Sequence, residues 1–251
     1  VAGGGEGGAF DPVPGDPGVI LDPAWLEQAL GEASFYRHMQ PWLGVRSPRA
    51  HHTGIDAATG RGLIVMDDIL ALGGTIGDAR EPYAVDVCRD SLRQLALLHT
   101  RTWDDPRWDV DWLAPRVERT ATIFPTDVLQ SLLDDGRGPD LPPELRDAPR
   151  LQAAMRCTAE LPVTCVLHAG THSGNCYLDA EGQACWFDWQ VVQRGHWAVD
   201  VAYHLGTVLT VEDRRAHEAD LLRHYLGELA HRHLRRRRRG TSPPWSGRKV
   251  L

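Results

Sequence analysis

Asn175 and Asp188 are the residues whose types and spacing most directly suggest chemistry. They lie in the stretch VLHAGTHSGNCYLDAEGQACWFDWQVVQRGHWAVDVAYHL, Val166 to Leu205. An apolar run ending at Leu167 reads as a strand, after which the chain enters a polar loop holding His168, His172 and Asn175. It then returns through a further strand and emerges at Asp188. Two oxygen-bearing side chains that follow separate buried strands can converge at one mouth. A carboxylate with an amide oxygen, and no cluster of thiolates or imidazoles, suits a hard cation such as Mg²⁺. With only two protein ligands, the remaining positions fall to water and phosphate oxygens.

Plainer readings exist for the same residues. An Asp after a buried strand can simply cap the next turn. His168 and His172 are four apart, the spacing of a zinc pair on a helix. They follow a strand, however, and no third ligand is evident, so His168 reads as a buried, hydrogen-bonded loop anchor. His99, in LALLHTRTW, falls on the core face of a helix and reads as an interior histidine. Trp103, Trp186, Trp189 and Trp197 read as packing residues, with Trp189 also a candidate for lining an acceptor pocket. The adjacent Asp67 and Asp68 could attract a cation, but a solvated hinge is the simpler account.

The elements that must position these residues can be read from periodicity. From Pro23 the pattern is helical, with Trp25, Leu26, Leu30, Phe35, Tyr36 and Met39 recurring at short helical spacings. AHHTGIDAATG and RGLIVMDDI predict two strands joined by a Gly-containing turn, and Gly73 and Gly74 then break the chain. A long helix is predicted from Tyr83 to Trp103, its stripe formed by Cys88, Leu92, Leu95, Leu98 and His99. Residues 104–150 mix helical pieces with prolines, and Arg150 to Glu160 is helical again. Thr164 to Leu167 and Cys185 to Phe187 flank NCYLDAEGQ as a tight β arrangement. A last helix starts near Val211, with Leu221, Leu222, Tyr225, Leu226 and Leu229 on one face. Small strands followed by a mainly helical second half predict an α+β fold of two unequal lobes around a cleft.

Composition narrows the class. At 251 residues, 42% hydrophobic and 24% charged, the chain matches a soluble globular protein. No apolar run approaches the roughly 20 residues of a membrane helix. The N-terminus lacks the pattern of a secretory signal. Five cysteines without a C-x-x-C pair fit a reducing compartment, so a cytoplasmic location is expected. The first residue is Val, which fits either a fragment or an alternative start codon translated literally. From His231 onward there are eight basic residues and no acid, in a chain of net charge −7. An acidic body with a basic tail is not the profile of a dedicated nucleic-acid binder. The Arg235–Arg239 run could touch an anionic surface, or could be a solvated, frayed helix end. Residues 1–18, rich in Gly and Pro, are expected to be disordered, and so is the basic tail 235–251. Between them, a reduced small lobe is expected over 19–70 and a large lobe over 71–234.

LHAGTHSGN and FDWQ resemble the H-G-D-x-H-x-G-N loop and I/F-D-W/F-Q strand of the aminoglycoside phosphotransferase and choline-kinase-like (ecdysteroid-kinase-like) family of small-molecule kinases. Gly195, Asp200, Ala202, Tyr203 and Leu205 match its following G-x-x-x-x-D-x-A-Y-x-L pattern. Upstream, Glu32 with Phe35 and Tyr36, LIVMDDI, and LALLHTRTW fall in the family's order, so the resemblance spans roughly residues 23–234. It implies a protein-kinase-like two-lobed fold, Mg²⁺ and ATP as cofactors, and transfer of phosphate to a small hydroxylated or amino-sugar-like acceptor. It further implies that Asn175 and Asp188 hold the metal and that Asp200, with His168, supports the loop. Glu32 would be the small-lobe helix glutamate, and Met66, Asp67, Asp68 and Ile69 would border the adenine.

Two departures follow from the same alignment. The family's catalytic aspartate falls on Gly170, within His168–Ala169–Gly170, and glycine has no side chain to accept a proton. His172 is the candidate substitute base, since a histidine titrates near neutrality. The family's small-lobe lysine has no counterpart, because the one lysine of the chain is Lys249. The sequence therefore predicts a kinase relative with weak or lost transfer; the alternatives are a nucleotide- or ligand-binding protein without catalysis, or part of an active kinase.

Overall fold

The apolar recurrence from Pro23 becomes helix α1 (Pro23–Ser34), which continues through a π-helical turn at Phe35–Met39 into α2 (Gln40–Leu43). The wider turn accompanies burial of Phe35, Tyr36 and Met39 together, each at most 2% exposed. Gly44 ends the run at φ 70°, a left-handed cap that glycine adopts without steric cost. In the computed structural model, residues 23–56, 61–78, 80–120, 122–135 and 141–239 are described. The expectations for 1–18 and 240–251, and the start of the small lobe at 19–22, lie outside the described residues.

The two strands expected before the Gly-Gly break are present as β1 (Ala50–Asp56) and β2 (Arg61–Met66), paired antiparallel with Asp56 opposite Arg61. Ile64 and Met66 pack toward the core, while Leu63 and Val65 face outward. Strand β3 (Thr75–Ile76) follows, and then the long helix α3 (Val85–Thr102), whose Cys88, Leu92, Leu95, Leu98 and His99 are all buried as its spacing requires.

The proline-rich middle holds 3₁₀ turns and the short helices α4 (Val117–Thr120), α5 (Thr126–Asp134) and α6 (Ala148–Ala159). Four short strands come next: β4 (Cys165–Leu167), β5 (Cys176–Leu178), β6 (Ala184–Trp186) and β7 (Gln193–Gly195). Their pairing separates the two runs that the sequence placed in one β arrangement. β5 pairs with β3 and β6, whereas β4 pairs with β7, Cys165 opposite Gly195. Helix α7 (Trp197–Val208) and helix α8 (Val211–Arg239) complete the order, and α3 lies against α8, β4, β6 and α7. The architecture is α+β.

One sequence expectation needs correction here. Leu226 is 41% exposed, so the face that α8 turns to the core holds Leu221, Tyr225 and Leu229, the i, i+4, i+8 row of a helix, with Leu222 partly buried beside them. Arg235–Arg239 are the last residues of helix α8. A helix already formed and packed adds residues at low entropic cost, so good helix formers such as arginine prolong it. No described helix is long and apolar enough to cross a membrane.

Candidate active site

The floor of the site is a buried polar frame built on α7. His196 caps that helix, its Nδ1 accepting from Ala198 N at 3.3 Å, and one turn later Asp200 is fully buried. Its carboxylate accepts from the backbone N–H groups of His168 (2.9 Å) and Ala169 (2.8 Å) and from His99 Nε2 (3.1 Å). Because Nε2 of His99 donates, its Nδ1 accepts from the Tyr225 hydroxyl at 2.7 Å. Burial alone would raise the Asp200 carboxyl, but the hydrogen bonds it accepts from His99 and from the His168 backbone hold it below the usual carboxylate range. Asp200 thus holds the start of the loop from behind.

His168 is the buried anchor expected. Its Nε2 donates to Phe187 O at 3.0 Å and its Nδ1 accepts from Gly170 N at 3.2 Å, tying the loop to the end of β6. Burial pushes its imidazole below the ordinary histidine value, so it stays neutral. A second support was not legible in the sequence. His204 Nδ1 donates to Thr171 O at 2.7 Å, with Ser91 Oγ 2.5 Å from its other nitrogen, and Thr171 Oγ1 donates to Asp200 O at 3.0 Å. The i, i+4 spacing of Asp200 and His204 on one helix was the available signal.

The loop geometry decides what its residues can do. Ala169 has φ 64°, a left-handed conformation. Gly170 is buried, and its carbonyl accepts from Asn175 Nδ2 at 3.1 Å. A Cβ at Gly170 would lie 2.9 Å from Asn175 Nδ2 and 3.2 Å from Val191 Cγ2, so a side chain there requires both to move. His172 Nδ1 accepts from Gly174 N at 3.1 Å and caps the 3₁₀ turn Ser173–Asn175. With Nδ1 committed as an acceptor, the neutral ring carries its proton on Nε2 and presents a donor. That argues against His172 as the substitute base.

Asn175 and Asp188 are brought together by one backbone bond, Phe187 N donating to Asn175 O at 3.1 Å. Asp188 has φ 60°, a left-handed conformation, and Gln190 Nε2 reaches its carboxylate at 3.4 Å. Asn175 Oδ1 accepts no hydrogen bond among the described residues. Glu32 reaches the same place from α1: it accepts from Trp189 N at 3.3 Å. Burial, and then the charge of Asp188, push the Glu32 carboxyl above its usual range. Trp189 itself is fully buried and stacked on Phe35 at 3.6 Å between ring centroids. It packs the core and does not line an acceptor pocket.

The Met66–Ile69 segment lies at a separate edge. Asp67 accepts from Arg49 N and from His51 Nε2, and the His51 bond holds its carboxyl below the usual range. Asp68 Oδ1 caps the next turn through Leu70 N and Ala71 N, so the two acids serve different partners. Asp67 and Ile69 share a cavity of about 90 Å³ with Ser47, Leu72 and Tyr177. Tyr177 lies in β5, the strand that begins directly after Asn175.

The family model described as the phosphotransferase enzyme family matches residues 20–239. The chain belongs to that family. Among solved structures, a point mutant of aminoglycoside 2'-phosphotransferase IIIa in its GDP complex is 11% identical, with 88% of this chain and 85% of that one covered and a TM-score of 0.47. The apoenzyme of a macrolide 2'-phosphotransferase from Brachybacterium faecium is 17% identical, with 90% and 69% covered and a TM-score of 0.41. A comparison with curated proteins returned no match. The α+β architecture of this phosphotransferase-family chain is the kinase-like one.

The donor set of the phosphotransferase chain fits Mg²⁺. Asn175 and Asp188 offer an amide and a carboxylate oxygen, the donor types a hard cation takes, with its other positions left to water and phosphate.

Proposed function

We propose that this protein binds Mg²⁺–ATP and transfers the terminal phosphoryl group slowly to a hydroxylated small molecule. The observation that carries the reading is the juxtaposition of Asn175 and Asp188 through the Phe187–Asn175 backbone bond, with Asn175 Oδ1 free of any partner among the described residues. Asn175 and Asp188 would hold the metal, and the bound ion supplies charge neutralisation on the phosphate oxygens. The Met66–Ile69 backbone and Tyr177 border the base, and Asp200 and His168 keep the loop in place. Phosphoryl transfer rests mainly on positioning and electrostatics, so a chain with this frame retains part of the catalysis without a base. Transfer is slow because Gly170 offers no acceptor and His172 presents a donor.

A second reading, nucleotide binding without transfer, is favoured by one observation: the space for a side chain at Gly170 is filled by Asn175 and Val191. One experiment addresses both. Millimolar Mg²⁺–ATP is expected to raise the melting temperature by about 3 °C or more, since a ligand that prefers the native state stabilises it. No shift would sink nucleotide binding. Phosphorylation of a panel of aminoglycosides and other polyols is then followed for the natural chain and for Gly170→Asp. A rise in the variant supports a lost base; a null rate in both supports binding alone.

A further inference from the structure

We propose that Glu32 is a positioning residue for Asp188, acting through the backbone N–H of Trp189. The inference rests on the reading of Asp188 as a metal ligand, but its physical content is local. Asp188 stands in the left-handed region at φ 60°, a conformation that costs an L-residue roughly 1 kcal/mol and persists only where neighbours over-determine it. The neighbours here come from α1 and the π-helical turn that continues it. Glu32 accepts from Trp189 N at 3.3 Å, and three residues on, Phe35 stacks on the Trp189 indole at 3.6 Å with 10° between planes. Trp189 is thus held by both its backbone and its ring, and the peptide it shares with Asp188 is held with it.

The same helix is tied to the far side of this turn. Glu27 pairs with Arg116 at 3.1 Å and with Arg119 at 2.7 Å. Arg116 in turn donates through Nη2 to Val192 O at 2.5 Å and through its backbone N to Gln193 Oε1 at 2.7 Å. The segment from Asp188 to Gln193 is therefore pinned to α1 at one end by Glu32 and at the other through Glu27 and Arg116. Glu32 brings a negative charge close to Asp188, which is unfavourable in itself. Its role as an acceptor accounts for its contact with this turn. An amide oxygen in its place keeps that acceptor and removes the repulsion.

The test compares the natural chain with Glu32→Ala and Glu32→Gln by amide hydrogen exchange over residues 187–192 and by titration calorimetry with Mg²⁺–ATP. Glu32→Ala is expected to speed exchange of the Trp189 amide about tenfold or more and to weaken Mg²⁺–ATP by about tenfold, with α3 and α8 unchanged. Glu32→Gln is expected to keep slow exchange and the natural affinity. Should Glu32→Ala fail to fold, Glu32→Leu removes the acceptor at similar length. Unchanged Trp189 exchange on loss of the acceptor overturns the proposal. Equal acceleration in Glu32→Gln also overturns it, because charge would then matter instead of the acceptor. If the natural chain binds no Mg²⁺–ATP, the reading of the metal site fails, while the exchange comparison still decides the role of Glu32.

Discussion

At the scale of single residues, the loop holds an alanine where its backbone favours glycine. Ala169 is at φ 64° while Gly170, next to it, has no such requirement. Removing the Cβ clash of the left-handed form recovers roughly 1–2 kcal/mol, and the added freedom of the unfolded chain takes back about 0.4–1. Ala169→Gly is therefore expected to raise stability by up to about 1 kcal/mol, read as a melting temperature about 2–4 °C higher. A fall would mean that the methyl group makes a contact worth more than the strain. Gly170 was identified in the sequence as the site of a missing side chain, but its surroundings were not. The approach of Asn175 Nδ2 and Val191 depends on how the loop closes, which spacing along the chain does not encode.

At the scale of elements, the loop is carried by β4, and β4 is carried by α3. Thr102, in the last turn of α3 and 2% exposed, accepts from Val166 N at 3.0 Å and donates to Leu98 O at 2.9 Å. It thereby satisfies a strand N–H that β7 does not. Thr102→Val keeps the shape and leaves that N–H without a partner, at a cost of about 1–3 kcal/mol. Urea denaturation should show a lower midpoint with an unchanged slope. Helices α1, α3 and α8 were legible because an apolar stripe repeats at the helical period. The β4–β7 pair and helix α7 were missed. Three-residue strands carry too little alternation to read, and α7, with Ala, Gly and Thr among its apolar residues, shows no clear stripe.

At the scale of the whole molecule, buried histidines make stability depend on acid. His204 is fully buried, and burial lowers its imidazole from the ordinary 6.5 to about 4. Folded His204 therefore binds its proton more weakly than the unfolded chain does. Between about pH 6.5 and 4 the unfolded state holds more protons, so stability present above 6.5 is lost as pH falls, on the order of 3 kcal/mol in full. Below that window Asp200 acts in the same direction, because its depressed carboxyl stabilises the folded state only while ionised. Denaturation midpoints measured from pH 7 to pH 4 should fall steadily, and His204→Gln should flatten the slope. A flat profile in the natural chain would contradict the buried neutral state.

The sequence by itself determined the helix stripes, the β1–β2 hairpin and the loop between β4 and β5 that carries Asn175. All of these are written in periodicities and motifs that act over a few residues. Tertiary structure alone decided that Asp200 accepts from His168 and Ala169, 32 and 31 positions away, and that His99 links it to Tyr225 across 101 and 126. It also decided that Glu32 meets Trp189 across 157 positions. Burial leaves these polar groups no water to turn to, so each must find its partner in the chain wherever packing brings one near.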